Sequence, residues 1–316
     1  METPARFADA CGEVPLPEIV GFNIRRLRAI GYLDRFAGSL RELGLTRDDV
    51  ARLSSALPNE IDRIVLAAGG RAGWLDDPEA HLDGVRCSLL IMVGEDARST
   101  IDADFLDQAA LLNRLLDLRH DVRLWVGIDP HLPRSLDTAL ALLDHPKAAG
   151  VALSPFMAGA GLDEDAYAHV LRALSARGTP IWVHGSAHFF RGAPYDIGHP
   201  YHLDRALTRF PELRLIIGHA GWPWTADACL VAARHPSVAI EFSTFPPALL
   251  LEPGWCLAPL LAQRRMLRDR VFFGSAPATT AARINRLLEQ LGSLPLEDDL
   301  ASWRGEGLRR WLRVEA

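Results

Sequence analysis

The chain has 316 residues, about half of them apolar (49%), and carries a formal net charge of −6. That is enough apolar material for a large core, which excludes a disordered chain, and the negative balance speaks against a nucleic-acid surface. The unbroken apolar runs are strand-sized, so no membrane span is expected, and Met1-Glu2-Thr3-Pro4 lacks a basic-then-apolar leader.

Cys11, Cys87, Cys229 and Cys256 are scattered without a close pair, the pattern of reduced thiols in a cytoplasmic protein. Lys147 is the only lysine, and it precedes an apolar run that starts near Ala149. It is therefore expected at a strand entrance, away from the catalytic end, which removes Schiff-base chemistry and a lysine-bridged metal pair.

In chain order, residues 7–14 read as a short strand closed by Pro15 and Pro17. Residues 18–83 are mostly helical by pattern, with apolar residues at three- and four-residue intervals over 25–36 and 41–57. The stretch is too long for an ordinary loop, so it reads as a helical insertion after strand one. From Gly84 the pattern alternates. Strand runs are expected at 85–93, 122–128, 149–153, 180–184, 213–219, 238–242 and 271–275. Helical runs are expected at 101–119, 135–143, 163–177, 201–210, 226–234, 255–267 and 278–291. Asp163 and Asp165 suit a helix start, and Gly178 suits a helix end. Eight strands separated by helices imply a parallel sheet closed as a (β/α)8 TIM barrel, one α/β domain spanning 1–316. The segment after a barrel strand emerges on the catalytic rim, so 18–83 is expected to cap the mouth, with a homodimer contact as the alternative. A last helix is expected over 296–314, packed by Leu308, Trp311 and Leu312.

Two strand runs end in histidine. Pro180-Ile-Trp-Val-His184-Gly185 is one, and Leu213-Arg-Leu-Ile-Ile-Gly-His219-Ala-Gly221 is the other. With Val271-Phe-Phe-Gly-Ser275-Ala276-Pro277 and the closing Gly307-Leu-Arg-Arg-Trp-Leu, these motifs resemble the amidohydrolase-related family of TIM-barrel metal-dependent hydrolases and decarboxylases. The resemblance spans nearly the whole chain and implies chemistry on a small carbonyl or carboxylate compound. It also exposes departures. The family's first strand carries Asp-x-His-x-His, whereas this chain reads Asp9-Ala-Cys11-Gly-Glu13. The eighth-strand aspartate is replaced by Ala276. The expected site is thus a rebuilt one.

Residues i and i+2 of a strand share a face, so Cys11 and Glu13 point the same way. If that face is the barrel mouth, Cys11, Glu13, His184 and His219 form a ligand set for one divalent ion, zinc foremost. A metal-free site is the second reading, a lyase, cyclase or lactonase with Glu13, His184, His188, His219 or Glu241 as acid or base. The third is a non-catalytic binding protein on the same barrel. The long segment after strand five carries His188 and Arg191, which suit an anionic substrate group. Trp222 is expected to wall a pocket, and Glu241 and Ser243 end strand seven as substrate contacts, although alternation leaves open whether Glu241 faces the interior. Each residue also has an ordinary use, as a hydrogen-bonded rim group, a buried thiol or a locally paired charge.

Overall fold

The computed structural model describes residues 9–12, 41, 45–55, 86–89, 113, 122–188, 192–243, 257–276, 281–296 and 299–313. Eight strands run parallel in sequence order: β1 (Asp9–Gly12), β2 (Arg86–Leu89), β3 (Val122–Gly127), β4 (Ala148–Leu153), β5 (Pro180–Val183), β6 (Arg214–Ile217), β7 (Val238–Glu241) and β8 (Val271–Phe272). The sheet closes on itself. The Ala10 amide donates to Phe273 O at 2.9 Å, and the Ala276 amide donates to Cys11 O at 2.8 Å. Closure makes the α/β TIM barrel that the alternating pattern predicts.

The helices are α1 (Arg47–Ser55), α2 (Pro133–Leu142), α3 (Pro155–Ala158), α4 (Asp165–Arg177), α5 (Pro200–Arg209), α6 (Thr225–Arg234), α7 (Leu257–Ala262), α8 (Arg264–Leu267), α9 (Ala281–Gly292) and α10 (Gly307–Leu312). Of the expected insertion over 18–83, α1 falls among the described residues. The helix expected at 101–119, apart from the single residue Asn113, and the rest of the insertion, apart from residues 41, 45 and 46, lie outside them. Three expectations are corrected. The 255–267 run is two helices separated by Gln263. The 296–314 run is a π turn over Ser302–Glu306, kinked at Gly305, followed by α10. Asp163 does not start α4; it precedes the helix and holds His202 and Arg205 of α5, at 2.6 and 3.2 Å. Gly178 does end α4, in the left-handed region with φ 66°, its amide reaching the Leu174 and Ser175 carbonyls.

Strict alternation divides the core. Trp125, Ala152, Trp182, Ile216, Ala239 and Phe272 form one buried cluster inside the barrel. Their neighbours Leu124, Val126, Val151, Leu153, Ile181, Val183, Leu215, Ile217, Val238 and Ile240 belong to the cluster between the strands and helices. This two-sided burial explains why the strands read as continuous apolar runs. Each large buried side chain contributes roughly 1.5–3 kcal/mol.

The N-terminal end of the barrel is stapled by arginines. Arg270 donates to Ala232 O, Val238 O and Met266 O at 2.6, 2.6 and 2.9 Å. Arg214, the first residue of β6, holds Trp311 O, which draws α10 across this end with Leu308 fully buried. Lys147 is buried immediately before β4, at the strand entrance, as its place in the sequence predicts. No helix among the described residues is long and apolar enough to cross a membrane.

Candidate active site

The opposite end of the barrel collects the ionisable groups. On β5 the inward position after Trp182 is His184. On β7 the inward position after Ala239 is Glu241, and the next is Ser243. Glu241 thus faces the interior, and it is 0% exposed. It fits because Gly274, just past β8, offers no side chain opposite: a Cβ there would lie 2.1 Å from Glu241 Oε1.

His219 follows β6 in an unusual backbone. His219 and Ala220 have φ of 54° and 53°, and Gly221 continues the left-handed run at 66°. A non-glycine residue held there costs about 1–3 kcal/mol and persists only where its surroundings enforce it. Three contacts do so. The His219 amide donates to Glu241 Oε2 at 3.2 Å. Its ring Nδ1 lies 2.8 Å from Ser243 Oγ. Gly221 packs where any Cβ would fall 2.6 Å from Ala228 Cβ, so helix α6 admits only glycine there.

One ligand atom each from Cys11, His219 and Glu241 lie within 4.8 Å of one another. The His184 ring stands beside them, its centroid 4.8 Å from that of His219. Trp182 forms the floor. Its Nε1 donates to Glu241 Oε2 at 3.2 Å, and its ring meets the His219 and His184 rings edge-on at 5.3 and 6.2 Å. Phe156 stands against His184 at 4.6 Å and stacks on His188 at 4.7 Å.

The electrostatics follow from enclosure. His219 keeps a partly exposed edge, but protein surrounds its ring, and that burial pulls its pKa down to about 4. The imidazole is therefore neutral near pH 7 and can offer a lone pair. Thiol, imidazole and carboxylate together fit a zinc-like divalent ion.

The predicted site residues are therefore distributed as follows. Cys11, His184 and His219 come together at the mouth, and Glu241 joins them there. His188 is buried, its Nε2 2.8 Å from Pro194 O. Ser243 is buried against His219 rather than opening to the mouth. Trp222 packs partly buried against the core between strands and helices. Glu13 and Arg191 lie outside the described residues. Sequence reasoning missed Trp182. Its signal was present in the two-residue spacing to His184 and in Gly218, where a Cβ would fall 2.3 Å from Trp182 Cζ2.

A family model described as amidohydrolase matches residues 87–293. The chain belongs to the amidohydrolase family. Solved structures share this amidohydrolase's fold. An uncharacterised TIM-barrel protein from Bordetella bronchiseptica superposes with a TM-score of 0.61 at 18% identity, over 97% of this chain and 98% of that one. The 5-carboxyvanillate decarboxylase of Sphingomonas paucimobilis gives 0.62 at 15%, over 98% and 100%. That of Novosphingobium aromaticivorans, complexed with manganese and 4-hydroxy-3-methoxy-5-nitrobenzoic acid, gives 0.59 at 14%, over 99% and 97%. No curated protein matches the sequence. In this chain Ala276 follows β8, and the carboxylate at the mouth is Glu241 of β7.

Proposed function

We propose that this amidohydrolase decarboxylates a small aromatic carboxylate at a centre built from Cys11, His219 and Glu241. The observation that carries the reading is the convergence of three chemically different ligand atoms within 4.8 Å. Those residues would hold one divalent cation, zinc foremost. Such an ion supplies a Lewis acid that polarises a bound oxygen.

The chain's own groups do the rest. Glu241 Oε2 accepts from the Trp182 Nε1–H and the His219 amide, and Oε1 is assigned as the oxygen that would meet the ion. His219 presents Nε2, because Nδ1 is taken up by Ser243. Phe156, which stands against His184 and stacks on His188, gives the mouth a flat apolar surface suited to an aromatic ring. His184 stands beside the centre and is assigned the proton transfer. As the bond to the carboxyl carbon breaks and carbon dioxide leaves, the ring carbon takes a proton from the His184 imidazole, which is restored from solvent. The solved decarboxylases of the same fold act on substituted benzoates by their names, and this supports the substrate class.

The test combines metal content with turnover. Protein purified without chelator should hold near-stoichiometric metal and release carbon dioxide from some member of a hydroxybenzoate panel. His219→Ala and Glu241→Gln should lose both. Metal content unchanged in these variants would overturn the ligand set, and turnover by a metal-free preparation would favour the metal-independent reading.

A further inference from the structure

We propose that Trp182 is a positioning residue that fixes which oxygen of Glu241 faces the centre; the inference rests on the reading of Glu241 as a ligand. Four observations carry it. Trp182 is fully buried on the inward face of β5. Its Nε1–H points at Glu241 Oε2, 3.2 Å away. The His219 amide approaches the same oxygen at the same distance, so two N–H donors from β5 and β6 converge on one carboxylate oxygen. Gly218 makes the approach possible, since a Cβ there would overlap the indole at 2.3 Å.

A buried carboxylate has two equivalent oxygens until something distinguishes them. Here the donors saturate Oε2, while Oε1 lies over the Cβ-less Gly274. The carboxylate plane is set before any ligand arrives, so no side-chain rotamer needs to be frozen on binding. The same oxygen also pins the His219 amide, so the indole indirectly supports the left-handed turn that presents the imidazole. Trp182 touches neither substrate nor the proposed ion; it acts through Glu241.

Trp182→Phe keeps an aromatic floor and deletes the N–H. In the full chain it should bind Zn2+ at least about tenfold more weakly than the unmodified protein, and shift the visible spectrum of the Co2+-loaded form, while the far-ultraviolet circular dichroism stays unchanged. A second measurement needs no metal and covers the case in which the variant fails to fold. With 15N-labelled indoles, the Trp182 Nε1–H resonance should be protected from solvent exchange, and it should move on Glu241→Gln. A Zn2+ affinity within twofold of the unmodified chain, or an exposed indole resonance indifferent to Glu241→Gln, would overturn the proposal. If the unmodified chain binds no metal, the ligand reading of Glu241 falls, and the indole resonance alone then supports or overturns the orienting contact.

Discussion

Ser243 Oγ sits 2.8 Å from Nδ1 of His219, across the gap between β7 and β6. For Nε2 to offer a lone pair, Nδ1 must carry the proton and donate it to the serine oxygen. Ser243 therefore fixes the ring's orientation, and its hydroxyl oxygen can accept the Nδ1 proton in the tautomer that frees Nε2 for an ion. Ser243→Ala is expected to lower Zn2+ affinity by about 10–100-fold, the usual cost of losing such a supporting contact. Titration with a competing chelator measures it, and the melting temperature should change little.

The depressed pKa of His219 makes the stability of the metal-free protein depend on pH. Unfolding returns the imidazole from about 4 to its ordinary value near 6.5. Between those values the unfolded chain binds the proton and the folded chain does not, so stability rises with pH across this window. It is fully present above about 6.5 and diminishes towards 4, a span of about 3 kcal/mol. Denaturant unfolding of chelator-treated protein at pH 4.5, 5.5 and 7 should show the slope, and His219→Ala should flatten it.

Gly274→Ala tests the room left for Glu241. The new methyl would fall 2.1 Å from Oε1 and 2.6 Å from Ser243 Cβ. Both neighbours must move. The expected result is loss of bound metal together with a stability cost of about 1–3 kcal/mol, read by elemental analysis and denaturant titration.

Arg270→Met probes the far end of the barrel. Removing the guanidinium strips donors from the carbonyls of Ala232, Val238 and Met266. Stability should fall by about 3 kcal/mol. The catalytic end is built from other groups, so the KM and metal content of the folded fraction should hold.

Much of this protein was written in its sequence. Strands buried on both faces need apolar residues at every position, and the runs around Val151, Ile181, Ile216 and Ile240 declare themselves for that reason. Histidines placed where two such runs stop, at 184 and 219, mark the rim as well. The helix breaks at Gln263 and Gly305 were less legible, because the apolar spacing runs through them while the backbone does not. Only the tertiary structure decided the membership of the site. Alternation says that Ala239, Glu241 and Ser243 share a face, but not which way that face turns. Barrel closure makes that choice, by bringing Cys11 of the first strand against residues of the sixth and seventh. Distance then separates the carboxylate that reaches the cluster from the hydroxyl that steadies the imidazole. Neither quantity is local in the chain, so no spacing in the sequence encodes it.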